Sequence, residues 1–147
     1  LKKFIFLQTK NWKIKTLITT DKKLIEKTFA KVNSAIVCSG TASLEIAKRE
    51  IPQIVIYKLN FFTEIFIRLF VKVKFANIIN ILANKTIIPE FINSNLNKDI
   101  FLKNFKILIS SDKFKKNQIN LVKKYLKQII KSKPPYEIAI KSLIKKL

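Results

Sequence analysis

At 147 residues the chain has the length of one domain, and a hydrophobic content of 48% is enough to build a core. One cysteine and no histidine exclude an internal disulfide and a Cys/His zinc site. The formal charge of +21 calls for an anionic partner, but only Arg49 and Arg68 are arginines, the side chain that bidentate base and phosphate recognition favours. Nucleic acid is therefore set aside in favour of an anionic membrane surface, with codon bias toward Ile, Asn, Phe and Lys accounting for part of the charge.

In chain order, short apolar runs alternate with amphipathic stretches. Phe4–Leu7 and Ile14–Ile18 read as strands, and Asp21 is placed to cap a helix through Leu24, Ile25 and Phe29. Ala35–Cys38 reads as a short buried strand, Thr41–Arg49 as a helix, and Ile54–Tyr57 as a strand after the break at Pro52. Apolar strands separated by helices predict a parallel sheet covered on both faces, with any ligand outside the carboxyl ends of the strands. Cys38 reads as a small apolar residue at a strand end, since no histidine exists to activate it. The stretch Phe61–Val73 is apolar almost all round and too short to span a bilayer. It is either a core helix or a helix resting in a membrane interface through Phe61, Phe62 and Phe66, with Lys58 and Lys72 toward the headgroups. Pro89 suggests a helix from Glu90, and lysine-rich helices follow at about 98–109, 112–131 and, after Pro134-Pro135, 136–147.

The one glycine of the chain lies in Cys38-Ser39-Gly40-Thr41-Ala42-Ser43-Leu44-Glu45, between the third apolar run and the helix that follows. Glycine permits positive φ and close approach of a ligand to the backbone. A small-residue turn at a helix N-terminus presents unpaired N–H groups beside the positive end of the helix dipole, a site for a phosphate or diphosphate. Glu45, about one turn further on, is placed to accept from ribose hydroxyls. The alternative is a simple cap, with Ser39 or Thr41 closing a plain helix.

Read together, the blocks Ser39–Glu45, Pro52 with Val55-Ile56-Tyr57-Lys58, Leu69–Lys72, Asn80-Ile81-Leu82-Ala83 and Ile88-Pro89-Glu90-Phe91-Ile92 resemble the C-terminal domain of the lipid-A-disaccharide synthases, bacterial glycosyltransferases. Order and spacing agree over roughly residues 13–130. The Ser39–Glu45 block alone is shared by several sugar-nucleotide enzymes, and its combination with the other blocks is the specific signal. The resemblance implies an α/β fold: a Rossmann-like parallel sheet with helices on both faces, the nucleotide-sugar-binding half of a GT-B enzyme, followed by C-terminal helices. Residues 1–133 would form this partial domain, and 134–147 a helix docking on an absent N-terminal domain. Leu1 in place of Met accords with a fragment.

The implied reaction joins UDP-2,3-diacylglucosamine to 2,3-diacylglucosamine 1-phosphate, releasing UDP, at the cytoplasmic face of a Gram-negative inner membrane, with no cofactor and no metal. By the same resemblance, Ser39, Gly40 and Thr41 meet the diphosphate, Glu45 the ribose, and Asn80 and Glu90 line donor-site loops. The catalytic base falls to the absent domain, and a homodimer is compatible. Two departures stand out: Asn84 where the family usually has glycine, a residue that tolerates the left-handed region, and Asn93 where it usually has glutamine. The rival expectations are another GT-B enzyme using UDP-N-acetylglucosamine, which typically carries glycine-rich loops lacking here, and a non-catalytic basic module binding a membrane or RNA.

Overall fold

The computed structural model describes residues 2–38, 40–57, 74–92 and 97–131. Ser39, Lys58, the segment 61–73 with Phe61, Phe62, Phe66 and Lys72, Asn93, and the helix expected after the proline pair lie outside the described residues. The chain divides into two units, Leu1–Val32 and Asn33–Leu147.

In the first unit the run expected as a strand is helical: α1 spans Lys2–Thr9. A strand has to find a partner for its backbone groups, whereas a helix satisfies them within the segment. None of α1 is buried, and Phe4 is 64% exposed, so no apolar contact favours a sheet here. Ile14–Ile18 is likewise not a strand; Ile14 and Leu17 face solvent, and the Thr16 hydroxyl donates to the Ile14 carbonyl at 3.1 Å. Asp21 does what its position predicts. Its carboxylate accepts from the backbone N–H of Lys23 at 2.8 Å and of Leu24 at 3.1 Å, and α2 runs Lys22–Phe29 behind it.

The second unit is built on three parallel strands in the order β1 (Ala35–Val37), β2 (Gln53–Tyr57), β3 (Glu90–Ile92). Between them lie α3 (Gly40–Lys48) and α4 (Ile78–Ala83); α5 (Lys98–Ser110) and α6 (Asp112–Lys131) follow. Val37 is in register with Val55, and Val55 with Glu90, which puts these three and Gln53 on one face. Ile54, Ile56 and Phe91 point to the other.

The two faces are held differently. On the second, Ile54, Phe91 and Leu108 of α5 form an apolar core, with Phe101, Phe105 and Phe114 packed around it. The Phe91 and Phe101 rings meet edge-on at 5.3 Å. On the first face, α3 and α4 bury Ile46, Ala47 and Ile79 against Val37 and Val55 and add a set of buried polar side chains. The last described helix, α6, buries Gln118, Val122 and Leu126, spaced four apart, and packs against α3, α4 and α5. Lys113, Lys116, Lys123, Lys124 and Lys127 occupy its exposed face, so this lysine cluster of the sequence is the solvent side of one helix.

Glu90 was expected to start a helix and instead starts β3. The Pro89 carbonyl accepts from Val55 N–H at 2.9 Å, and a proline just before a strand costs the ladder no donor. The two positive-φ positions among the described residues are Glu50 (59°) and Asn84 (48°), past the ends of α3 and α4. Each helix closes with paired bonds of Schellman type: Glu50 and Ile51 N–H to the carbonyls of Ala47 and Ile46, and Asn84 and Lys85 N–H to those of Ile81 and Asn80.

The two-faced packing gives a paired expectation. Leu108→Ala, at a fully buried position, should lower stability by about 2–5 kcal/mol in a urea titration, while Ile109→Ala, 49% exposed on the same helix, should change it by no more than about 0.5 kcal/mol.

Candidate functional site

The first strand ends at Val37, and α3 opens at Gly40, at the carboxyl end of a parallel strand where such folds place ligands. The first turn of α3 leaves its N–H groups without partners inside the helix. Gly40 does not have positive φ, so the sequence argument from the left-handed region does not hold for it. Nor is the glycine forced by packing, because a Cβ there would meet only the Tyr57 hydroxyl, at an ordinary 3.8 Å. What remains is room on the ligand side, where Gly40 and Thr41 are exposed. Glu45 lies on the same side of α3 as Thr41. It is 56% exposed and pairs with Arg49 at 3.3 Å, and with Thr41, Leu44 and Lys48 it lines a cavity closed by Leu126 and Ile129 of α6. An exposed pair of this kind costs little to rearrange, which leaves the Glu45 carboxylate able to take another partner.

Asn80 and Glu90, ten residues apart, are brought into direct contact. The resemblance placed Asn80 in a donor-site loop; it lies inside α4, fully buried. Its Oδ1 accepts from the N–H of Ile87 at 2.8 Å and of Ile88 at 3.0 Å, and its Nδ2 donates to the Ile88 carbonyl at 2.7 Å and to Glu90 Oε1. All four hydrogen-bonding positions of the amide are filled by protein. Glu90 also accepts from the backbone N–H of Ala76 through Oε2 at 2.7 Å and of Asn77 through Oε1 at 3.1 Å. Three donors thus converge on one half-buried carboxylate, with Oε2 the less occupied oxygen. The acid is fixed in place before any ligand arrives.

Four buried polar residues that sequence reasoning passed over extend this arrangement. Asn77 caps α4, its Oδ1 accepting from Ile79 N–H at 3.0 Å, and its Nδ2 donates to Ser43 Oγ at 2.7 Å. Gln53 Nε2 donates to the Ser43 carbonyl at 3.0 Å. Gln118 Oε1 accepts from Gln53 N–H at 2.7 Å, and its Nε2 donates to the carbonyls of Gln53 and Ile87. Gln53, Asn77 and Gln118 lie in stretches otherwise read by their apolar spacing, and Ser43 in the small-residue block read as a turn. Only Asn77 carried a usable local signal, as a cap before an apolar run.

Tyr57 joins the two parts of the site. Its hydroxyl lies beside Gly40, is shut off from solvent and has no hydrogen-bond partner. Burial, and then the nearby Glu90 carboxylate, push the phenol above its usual range, so it stays a neutral O–H. Gly40, Tyr57 and Glu90, the first residue of β3, therefore lie near one another on the α3 side of the sheet, while Thr41 and Glu45 face the α6 side of α3.

An unmet buried hydroxyl destabilises the fold, so Tyr57→Phe should raise stability by about 1 kcal/mol in thermal melts at neutral pH. The phenol is held neutral in the folded chain and ionises more readily in the unfolded one. Its contribution is present below about pH 10 and is lost as pH rises through the folded value. The stability of wild type should therefore fall more steeply than that of Tyr57→Phe above about pH 10.

A three-stranded parallel sheet with helices on both faces, and a helix opening at the carboxyl end of its first strand, defines the Rossmann-like class of α/β domain. The chain belongs to the lipid-A-disaccharide synthetase family, whose model matches residues 2–140. It is 39% identical over 103 residues to the lipid-A-disaccharide synthase of Rickettsia bellii (strain OSU 85-389), covering 70% of this chain and 27% of that protein. For the same enzyme of Rickettsia prowazekii the identity is 37% over 103 residues, again 70% and 27%. Lipid-A-disaccharide synthase 1 of Legionella pneumophila (strain Paris) is 49% identical over 63 residues, 43% of this chain and 16% of that protein. The chain thus spans about a quarter of the length of the Rickettsia relatives. No solved structure matches.

Proposed function

We propose that this chain is the donor-binding part of a lipid-A-disaccharide synthase, which transfers 2,3-diacylglucosamine from UDP-2,3-diacylglucosamine to 2,3-diacylglucosamine 1-phosphate. The observation that carries the reading is the family match over residues 2–140, joined to the helix that opens at Gly40 at a parallel strand end. Ser39, Gly40 and Thr41 meet the diphosphate, Glu45 takes the ribose hydroxyls, and Glu90 belongs to a donor-site loop. Asn80 serves the site through its bond to Glu90. In an inverting transfer the acceptor 6-hydroxyl attacks the anomeric carbon as the bond to the β-phosphate oxygen breaks, and the electron pair leaves with UDP. N–H donors at the turn stabilise that developing charge. The base that receives the hydroxyl proton is assigned to the acceptor domain, so the chain by itself is inactive.

Both substrates carry acyl chains, and the reaction is placed at a membrane surface, approached through Phe61, Phe62 and Phe66 with Lys58 and Lys72 on the headgroups. No described helix is long and apolar enough to cross a membrane. Contact through phenylalanine survives high salt, whereas contact through lysine alone does not. Cosedimentation with anionic vesicles should therefore persist at 1 M salt, on the order of three Å screening length; complete release would leave only the charge term.

Titration calorimetry with UDP tests the site itself. Wild type should bind UDP, and Glu45→Ala should weaken binding by about 1.5–3 kcal/mol, the range for hydrogen bonds to a charged group. Gly40→Val should abolish binding while keeping a cooperative melt, because a Cβ at this position meets only the Tyr57 hydroxyl at 3.8 Å and the branched side chain stands where phosphate would sit. UDP binding unchanged in both variants would place the nucleotide elsewhere.

A further inference from the structure

The two groups of candidate residues lie on different elements, Gly40, Thr41 and Glu45 on α3 and Glu90 on β3. A nucleotide sugar that touches both needs their separation fixed, and a helix packed on a sheet through aliphatic contacts alone can slide or turn by small amounts. One residue reaches all the elements concerned, by its side chain and its backbone. Asn77 is 1% exposed; its Oδ1 caps α4, its backbone N–H donates to Glu90 Oε1, and its Nδ2 donates to Ser43 Oγ at 2.7 Å. Ser43 lies three residues after Gly40, one turn into α3, and is itself 1% exposed. The Ser43 carbonyl is held separately by Gln53 of β2. That bond ties α3 to the sheet, and the bond from Asn77 sets the helix against Glu90.

We propose that Asn77 is a positioning residue of the donor site, holding the first turn of α3 at a fixed setting relative to the Glu90 carboxylate through its bond to Ser43. It touches no substrate and acts through its two neighbours. The bond is shut off from water, so nothing in solvent replaces it when it is lost. The inference rests on the donor-site reading above.

The test measures UDP affinity by calorimetry and the melting temperature of the same samples. Asn77→Ser keeps a good helix cap and the backbone N–H to Glu90 but does not span the gap to Ser43. Ser43→Ala removes the acceptor from the other side. Each should weaken UDP binding roughly five- to tenfold. The double variant should be no weaker than either single one, because both break the same bond. Leu108→Ala, on the opposite face of the sheet, controls for general loss of stability and should leave UDP affinity unchanged despite a lower melting temperature. Unchanged affinity in Asn77→Ser and Ser43→Ala, additive losses in the double variant, or loss of a cooperative melt in both single variants would each overturn the proposal. Absence of UDP binding by wild type would instead overturn the donor-site reading itself.

Discussion

A buried amide leaves two donors and two acceptor positions to be met, and each one left unmet costs the fold about 1–3 kcal/mol. Asn80 meets all four inside the second unit, with the backbone of Ile87 and Ile88 and with Glu90. Much else depends on this one side chain. It ties the end of α4 to the start of β3, and so sets where the strand begins. It orients the Glu90 carboxylate, which then accepts from Ala76 and Asn77 ahead of α4. From Asn77 the connection passes to Ser43 in α3, and from Ser43 to Gln53 in β2. Gln118 completes it by binding both Gln53 and Ile87. Hydrogen bonds are directional, so this face of the sheet has one arrangement, where aliphatic packing alone tolerates several.

The division of labour between the faces has a functional reading. The side with Ile54, Phe91 and Leu108 is held by apolar burial alone, the term that drives folding. The polar side supplies geometry, and it is the side that carries Gly40, Tyr57 and Glu90. A site for a nucleotide sugar gains from groups fixed in advance, because ordering them on binding would subtract from affinity. The unpartnered Tyr57 hydroxyl beside Gly40 is a local cost of the kind that tends to collect where a ligand is expected.

Glycine usage fits the same picture. Helices that need a left-handed residue at their ends often use glycine there, but this chain uses Glu50 and Asn84. Asn84 stands where the family resemblance led one to expect glycine, and its short amide tolerates that region. The one glycine is kept at the opening of α3, where neither φ nor packing requires it.

The strand–helix alternation of the second unit was legible in the sequence because apolar periodicity and breakers mark it: Ala35–Val37, the helix after Gly40, the strand ending at Tyr57, and the two lysine-rich helices. The Asp21 cap was legible for the same local reason. What the sequence could not decide was whether an apolar run finds a strand partner. Phe4–Leu7 finds none and becomes helix, whereas Glu90–Ile92 pairs with β2 and does not. Pairing is a long-range event, and no spacing within the run encodes it. The buried polar network was hidden for a related reason. Gln53 and Gln118 are 65 residues apart, and a glutamine in an amphipathic helix reads as solvated until the fold brings its partner to it. Gly40 and Glu45 could be named as candidate site residues from local pattern, and Glu90 from the family resemblance; that Asn80 is spent on holding Glu90, and that Asn77 links Glu90 to α3, was decided by tertiary structure alone.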